Sequence, residues 1–452
     1  MNKLFSKKFT ILLITCNIFL NTNVFGAVSS CMNIINDKQL CNEIGQMLII
    51  GFGGFRQDKD GRILWDDKDH IHFNQKSVIA RHIADDNIGG VILFERPIYN
   101  VTDRQFIRDR NIQNPAQVTK LNKDLQGYND EVQLKQKVDS LPLFIAVDQE
   151  GGRVDRLPFY RGFPAATLLP QALGLKEEMA NKKGSQEEKE AALKETYDYA
   201  KKIAQELSDL NFNLNFVPTV DININPTNPI IGGMGRSFSS DPKVVFDQAG
   251  KVIRAMHKYK IVTGIKHFPG HGSSSGDTHA GFVDVTKTYQ KDKELYPYRK
   301  LIESSYDDMI MTTHVINGQI DKTQCKEGAK DDPNTWCPGT MSEVTLTKLL
   351  RKDMGFTGII ISDDMTMGAI VREDDTEEVQ KIKIKDAIKR AINAGVDMFI
   401  FANNKDDKTD LVISAIAQLV KDGDVKREKI DEVYNRIVKF KKEKLMLTVD
   451  CL

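Results

Sequence analysis

One stretch of the chain, KHFPGHGSSSGDTH, concentrates side chains that donate, accept and hold protons. It begins with Lys266 and His267, continues through a Pro-Gly turn and a run of Gly and Ser, and ends at Asp277-Thr278-His279. The apolar run 261–265 leads directly into it, so the stretch begins where a buried strand is expected to end. Basic and acidic groups in a flexible loop at a strand end are typical of a catalytic loop above a polar ligand.

Three kinds of site fit these residue types. The first is a metal site, because His267, His271 and His279 are zinc ligands by type, with Asp277 nearby. A helical His-x-x-x-His site needs both histidines on one helix face, however, and the intervening Pro-Gly turn interrupts such a helix. The second is a Gly-rich surface loop with incidental histidines. We favour the third, a general acid/base site without a metal.

Length and charge set the limits for the rest. The chain has 452 residues, of which 40% are hydrophobic, enough for one large barrel or two ordinary domains. Its 63 basic and 63 acidic residues cancel, so no overall field attracts nucleic acid, and we expect no nucleic-acid partner.

The first residues predict a targeting segment. Three lysines within the first eight residues precede the apolar run 9–20, which is too short to span a bilayer comfortably. Cleavage after Gly26 would divide the chain into a signal peptide, residues 1–26, and a mature catalytic region, residues 27–452. We therefore expect export, to the periplasm. The alternative is a lipoprotein signal with a lipidated Cys31.

The cysteines fit an oxidising compartment. Cys325 and Cys337 bracket a short polar loop that a disulfide would close, and Cys31 with Cys41 is a second candidate pair. If these two pairs form, Cys451 is left unpaired in the mature region. If Cys31 is lipidated instead, four cysteines remain available for disulfides, an even number.

Eight short apolar runs alternate with helical patterns along the mature region. The runs are 46–51, 90–94, 143–147, 214–220, 261–266, 309–314, 358–362 and 396–401. Strands that are buried on both faces and joined by helices predict a single (β/α)₈ TIM-like barrel, with a doubly wound open sheet as the alternative.

Polar clusters follow six of these runs, from Asp148 after the third to Asn403-Asn404 after the eighth. Functional groups from so many strand ends favour the rim of a closed barrel. Four polar stretches exceed ordinary loop lengths and are interpreted as long loop insertions. They are 56–76, 100–139, 174–186 and 318–338.

Four motifs in this order resemble glycoside hydrolase family 3, and most closely its β-N-acetylglucosaminidase branch, the peptidoglycan-recycling enzymes. They are VDQEGGRVDRL (Val147 to Leu157), GRSF (Gly235 to Phe238), KHFPGHG with the D-T-H triplet, and SDDMTMGA (Ser362 to Ala369). The resemblance runs from about Cys41 to about Leu445.

The resemblance implies a TIM-like barrel and a retaining mechanism without metal or organic cofactor. Asp363 would be the nucleophile, and His279 the general acid/base with Asp277 as its partner. The residues that would bind the sugar are Asp148, Arg156, Arg236, Lys266 and His267. Glu150, in the first motif, is interpreted as structural.

The chemistry of the residues agrees with these roles. A retaining glycosidase needs a nucleophile and a proton donor on opposite faces of the sugar. Asp363 closes an apolar run, and its neighbour Asp364 would raise the pKa of one of the two unless cations offset it, the candidates being Lys266, Arg156 and Arg236. Asp364 has a helix N-cap as its alternative role. An imidazole titrates near ~6.5 and suits acid/base work, although its pairing with Asp277 depends on the path of the loop.

The sequence thus predicts a retaining exo-β-N-acetylglucosaminidase that removes terminal N-acetylglucosamine from peptidoglycan fragments through a covalent glycosyl-Asp intermediate. Its partners would be amino-sugar glycans. Two alternatives stay open: a β-N-acetylglucosaminide phosphorylase, and a noncatalytic glycan-binding envelope protein on the same barrel.

Overall fold

The computed structural model describes residues 30–52, 73–95, 111–164, 168–372, 374–402 and 408–446. It also describes the backbone of two small antiparallel ribbons, in which 56–57 pairs with 63–64 and 99–100 pairs with 105–106. The predicted signal peptide, residues 1–26, and the predicted rim residues Asn403-Asn404 lie outside the described part of the chain.

Eight parallel strands, here numbered β1 to β8 in chain order, close into one barrel. They are β1 Leu48–Gly51, β2 Gly90–Ile92, β3 Phe144–Val147, β4 Leu214–Asn215, β5 Val262–Phe268, β6 Met309–Thr312, β7 Ile359–Asp364 and β8 Met398–Phe401. Closure is completed by β1, which pairs with β2 on one side and with β8 on the other. The predicted (β/α)₈ barrel is therefore confirmed and the open sheet is excluded, since an open sheet has two unpaired edges.

Helices connect the strands and surround the barrel. They are α1 Lys38–Gln46, α2 Val78–Asp85, α3 Pro115–Gln136, α4 Pro170–Lys183, α5 Gln186–Asp209, α6 Pro242–Lys258, α7 Lys291–Glu294, α8 Tyr296–Glu303, α9 Glu377–Ala394, α10 Thr409–Lys421 and α11 Arg427–Lys441. A π-helical segment, Val344–Asp353, joins β6 to β7, and a shorter one, Lys442–Met446, follows α11. None of the helices in the described ranges is long and apolar enough to cross a membrane.

Two of the four predicted insertions are mainly helical rather than loops. The stretch 100–139 contains α3, and 174–186 covers the end of α4 and the start of α5. The start of α3 follows from its sequence: the Asn114 side chain accepts a hydrogen bond from the amide of Gln117, and Pro115 occupies the first turn. The polar composition of these stretches concealed their helical character.

The barrel strands are buried along their whole lengths, as the continuous apolar runs predicted. Lys441 on α11 is fully buried among them: its Nζ donates to Gln46 Oε1 and to the carbonyl oxygen of Gly89, both over 2.8 Å. It also lies 4.7 Å from the ring centroid of Phe144. Burial lowers the pKa of Lys441 well below its usual range. This amine thus joins α11 to the end of α1, to the residue before β2 and to β3.

Both predicted disulfides are present. Cys31 is bonded to Cys41, and Cys325 to Cys337, with Cα–Cα distances of 5.7 and 4.8 Å. The first bond ties the chain ahead of α1 to that helix. The second closes the base of the loop that follows β6.

Candidate active site

The carboxyl ends of the parallel strands meet at one rim of the barrel, and the polar residues of the motifs lie there. Lys266 and His267 lie near the carboxyl end of β5, and Asp363 is the penultimate residue of β7. Asp148 follows β3 directly, and His314 comes two residues after β6. In closed barrels of this kind the catalytic groups lie at this rim.

Four charged side chains form one cluster at the ends of β3 and β5. Lys266 Nζ lies 2.6 Å from Asp148 Oδ1 and 2.7 Å from Glu150 Oε1. The Arg236 guanidinium binds both oxygens of Glu150, with Nη2 2.7 Å from the Oε1 that Lys266 also contacts and Nε 2.8 Å from Oε2. Burial raises the pKa of Glu150, but Arg236 and Lys266 outweigh it and hold that pKa well below its usual range. Two positive and two negative groups make the cluster neutral overall.

This cluster corrects one sequence-based expectation and specifies the structural role of Glu150. Lys266 and Arg236 were expected to offset the charge of Asp363, yet both bind Glu150. Glu150 is the acceptor that they share, so its structural role is to hold two of the predicted sugar-binding cations in place. Its position two residues after Asp148, at the same strand end, is the signal that would have identified it.

Asp221, beyond β4, positions the imidazole of His267. Its Oδ2 lies 2.7 Å from His267 Nδ1 and accepts the His267 amide over 3.2 Å, while Oδ1 accepts the amide of His271 over 2.7 Å. Burial raises the pKa of Asp221, but His267 and His271 lower it further than burial raises it. A carboxylate at Nδ1 holds the proton on that nitrogen, which leaves Nε2 of a neutral His267 as an acceptor.

Asp363 is surrounded by histidines. Burial raises its pKa, but His267, His314 and His279 lower it below the usual range, assisted by the Asp364 amide, which donates to Asp363 Oδ1 over 2.8 Å. Asp363 is therefore ionised at neutral pH, as a nucleophile must be. The groups that lower the pKa of Asp363 are thus imidazoles and a backbone amide rather than the lysine and arginines expected from the sequence.

The neighbouring carboxyl has a different environment. Asp364 Oδ1 accepts from the amide of Thr366 over 2.9 Å, from its hydroxyl over 2.8 Å and from the amide of Ala402 over 3.1 Å. Burial, with a contribution from Asp363, raises the pKa of Asp364. Asp364 caps a turn rather than a helix, because no helix begins directly after β7.

Asp277 and His279 form a pair. Asp277 Oδ1 lies 2.7 Å from His279 Nδ1 and accepts the His279 amide over 2.8 Å. The side chain of His279 is 64% exposed. The imidazole is thus oriented by the carboxylate at one nitrogen and is open to solvent, an arrangement that can exchange a proton with a ligand above the rim.

The Gly/Ser stretch before this pair is anchored to the loop that follows β4. Asn228 Nδ2 donates to the carbonyl oxygen of His271 over 2.8 Å, and Asn225 Nδ2 donates to that of Ser274 over 2.8 Å. Burial lowers the pKa of His271 to about 4, so this histidine is neutral at physiological pH. The sequence alone left this stretch free to bend, whereas the fold holds it at two points.

Arg156 lies at the edge of these groups. Its amide donates to Gln149 Oε1 over 2.7 Å, and its guanidinium carbon is 5.4 Å from the ring centroid of Phe94, which follows β2. Of the five predicted sugar-binding residues, Asp148, Arg236 and Lys266 share one cluster. Arg156 borders that cluster on the side of β2.

Comparison with known proteins places the chain in a family. The model of the "Glycosyl hydrolase family 3 N terminal domain" matches residues 39–440. "Beta-hexosaminidase A" of Pseudoalteromonas piscicida is 32% identical over 362 residues, which are 78% of this chain and 53% of that protein. "Beta-hexosaminidase" of Tolumonas auensis is 33% identical over 292 residues, 62% of this chain and 74% of that protein. The chain thus spans about half of the first relative and three-quarters of the second.

Solved structures show the same fold. A glycoside hydrolase family 3 β-N-acetylglucosaminidase from Paenibacillus sp. superposes with a TM-score of 0.67 at 26% identity, covering 91% of this chain and 64% of that one. A β-N-acetylhexosaminidase from Beutenbergia cavernae gives a TM-score of 0.66 at 21% identity, with 90% and 99% covered. The family match extends over nearly all of the barrel and includes every motif of the site. The chain therefore belongs to glycosyl hydrolase family 3.

Proposed function

We propose that this chain is a retaining exo-β-N-acetylglucosaminidase acting on peptidoglycan fragments, with Asp363 as nucleophile and His279 as general acid/base. The observation that carries the proposal is the closeness of two groups at one strand end. Asp363 is ionised and lies at the rigid end of β7, and the exposed Asp277–His279 pair is held beside it. The names of the relatives, β-hexosaminidases and β-N-acetylglucosaminidases, point to the same class of amino-sugar substrate.

In the first step, a carboxylate oxygen of Asp363 bonds to the anomeric carbon while the bond from that carbon to the leaving oxygen breaks. Protonated His279 gives its Nε2 proton to the leaving oxygen, and Asp277 at Nδ1 stabilises the imidazolium that this requires. In the second step, neutral His279 takes a proton from water, and the water oxygen displaces Asp363. The sugar leaves with its original anomeric configuration, since two inversions cancel.

The charged cluster is suited to holding the sugar. Asp148 and Glu150 accept hydrogen bonds, whereas Lys266 and Arg236 donate them, and hydroxyl groups need both kinds of partner. Because the cluster is neutral overall, it binds a neutral sugar without leaving an unpaired charge in the pocket. Its mutual ion pairs also hold each side chain in place before a ligand arrives.

Peptidoglycan fragments are the substrate that suits a histidine acid/base. The leaving group there is N-acetylmuramic acid, which carries a carboxylate, and a carboxylate acid/base would repel it where an imidazole does not. The two disulfides, Cys31–Cys41 and Cys325–Cys337, support export to an oxidising compartment such as the periplasm. A Cys31 sulfur bonded to Cys41 carries no thioether-linked lipid, so we propose export without lipidation at Cys31.

The test is hydrolysis of a chromogenic N-acetyl-β-glucosaminide beside the matching β-glucoside, by wild type, Asp363→Ala and His279→Ala. We expect selective cleavage of the first glycoside by wild type and a loss of roughly 10⁴-fold in Asp363→Ala. In the first seconds of the reaction, NMR should show the β-anomer of the free sugar. A first product of α configuration would overturn the retaining mechanism.

Each assay is run with and without inorganic phosphate. A sugar 1-phosphate product would replace the hydrolase by a phosphorylase on the same residues. Folded wild type that cleaves neither glycoside, in either buffer, would overturn the proposed activity in favour of glycan binding alone.

A further inference from the structure

Two aromatic side chains stand exposed at the rim, beyond the residues that the proposed function uses. A 3₁₀ turn, Phe159–Arg161, follows β3, and its first two side chains, Phe159 and Tyr160, are 79% and 76% exposed. Two adjacent aromatic rings in water, on the face that carries the active site, are typical of a ligand-binding surface. Packing within the fold does not account for them, since neither ring is buried.

The turn is held rigid by a buried carboxylate. Glu95, beyond β2, is 3% exposed, and its Oε1 accepts from Tyr160 Oη over 2.5 Å and from Arg161 Nε over 2.9 Å. Ion-paired and hydrogen-bonded groups of this kind fix the orientation of the side chains that they join. The ring of Tyr160 is therefore presented to solvent in a set position.

The aromatic turn is continuous with the candidate sugar-binding groups. Phe94, the residue before Glu95, lies beneath the guanidinium of Arg156, at 5.4 Å from ring centroid to Cζ. Consecutive residues after β2 thus contact Arg156 on one side and Tyr160 on the other. Only Leu157 and Pro158 separate Arg156 from Phe159 in the chain. The turn borders the site on the side of β2 and β3.

We propose that Phe159 and Tyr160 form a stacking platform for the aglycone sugar, the residue of the glycan directly beyond the scissile bond. The charged cluster suits the hydroxyl groups of the terminal sugar, whereas exposed aromatic rings suit the C–H face of a pyranose. An exo-acting enzyme leaves the aglycone at the mouth of its pocket, and only two residues separate this turn from Arg156 at the same strand end. The inference rests on the proposed function and names the part of the substrate that sets its specificity.

The test compares two substrates with leaving groups of similar chemistry. Methyl N-acetyl-β-glucosaminide has an alkoxide leaving group without a ring, whereas N,N′-diacetylchitobiose places a sugar ring in the aglycone position. An aryl glycoside is avoided because its ring would itself stack. The quantity measured is the ratio of kcat/KM for the disaccharide to kcat/KM for the methyl glycoside. We expect Phe159→Ala and Tyr160→Ala each to lower this ratio roughly 3- to 10-fold, mainly through KM.

Two further variants separate stacking from other effects. Phe159→Tyr keeps an aromatic ring at position 159 and leaves the Tyr160–Glu95 hydrogen bond in place, so its ratio should stay near the wild-type value. Leu134→Ala, at an 81% exposed position on α3, is the matched control for removing an exposed apolar side chain, and its ratio should not change.

Equal losses on both substrates, or no loss on either, would overturn the platform while leaving the proposed activity intact. The same holds if wild type shows no preference for the disaccharide. Cleavage of neither substrate by wild type would instead overturn the proposed activity, and the platform with it.

Discussion

The amide of Gly368 donates to the carbonyl oxygen of His279 over 3.2 Å, which joins the loop of the candidate acid/base to the loop that follows Asp363. The next amide, that of Ala369, donates to the carbonyl oxygen of Thr278 over 3.1 Å. A Cβ at position 368 would lie 2.3 Å from that same His279 oxygen, so only glycine allows this approach. Backbone contacts thus help to set the distance between nucleophile and proton donor.

Gly368→Ala should therefore reduce catalysis, and the close contact should also lower the free energy of unfolding by about 1–3 kcal/mol. The added methyl displaces the backbone of His279, and a displacement of about 1 Å near the reacting atoms costs about 100-fold in kcat. Steady-state kinetics and thermal unfolding of the variant are the measurements. Gly250→Ala, in α6 and with open space around its Cβ, is the control and should retain wild-type kinetics. Unchanged kcat in Gly368→Ala would contradict the coupling of the two loops.

Glu150→Gln should destabilise the protein and reduce activity together. The substitution leaves Lys266 with Asp148 alone and Arg236 without its carboxylate. Removing one partner of a buried ion pair costs about 3–5 kcal/mol of unfolding free energy. Denaturant unfolding measures this cost. The control is Glu195→Gln, which removes the exposed pair with Lys176 and should cost less than about 1 kcal/mol. Equal effects of the two variants would refute the central place of Glu150.

His279→Glu should discriminate between aglycones. If the imidazole serves to avoid repulsion of a leaving-group carboxylate, the variant should lose more activity on a muramic-type aglycone than on a neutral one. The measurement is kcat/KM on disaccharides that differ only in that carboxyl group, with its methyl ester as the neutral control. Raising the salt concentration should narrow the difference. Equal relative losses on both substrates would refute the electrostatic explanation.

Glu294 should make stability fall with rising pH. This carboxyl is 1% exposed, and a Cβ at Gly270 would lie only 2.5 Å from its Oε2. Burial, with the nearby charge of Asp221, raises the pKa of Glu294 from 4.5 to about 8. Between these values the folded chain retains a proton that the unfolded chain has released. The free energy of unfolding should therefore decrease by up to about 1.4 kcal/mol per pH unit over that interval.

Glu294→Gln should remove this dependence of the free energy of unfolding on pH, because a neutral amide replaces the carboxyl. Denaturant unfolding of wild type and variant at pH 5, 6, 7 and 8 gives the difference at each pH, and other titrating groups cancel in that difference. We expect the free energy of unfolding of the variant to increase relative to that of wild type as the pH rises. A difference that does not vary with pH would show that Glu294 titrates normally.

Much of the fold was predictable because its determinants are local. Each barrel strand is a short, continuous apolar run, and such runs joined by helices have few solutions besides a parallel barrel. The cysteine pairs could be named as candidates for a similar reason, since their members are 10 and 12 positions apart, but the sequence left the pairing and the lipidation of Cys31 open. The start of α3 also has a local determinant in its capping residue and first-turn proline, although the polar composition of the stretch suggested a loop.

The site was predictable in its residue types but not in its connections. The strand ends that carry Asp148, Lys266 and Asp363 could be read from where apolar runs stop. Glu150 and Arg236, in contrast, are 86 positions apart, and Asp221 and His267 are 46 apart. No local sequence pattern predicts that such distant groups will be in contact. The assignment of Lys266 and Arg236 as the cations that offset the charge of Asp363 was wrong for this reason.

The sequence by itself determined the barrel and the set of groups available at the rim, and it offered the two cysteine pairs as candidates. Backbone propensity and hydrophobic periodicity depend on residues that are close together in the chain, so they can be read from the sequence alone. The tertiary structure decided which carboxylate each cation binds, that Asp277 orients His279, and that two aromatic rings face the solvent beside Arg156. Those outcomes depend on closing the barrel, because only closure brings the ends of distant strands within hydrogen-bonding distance of one another.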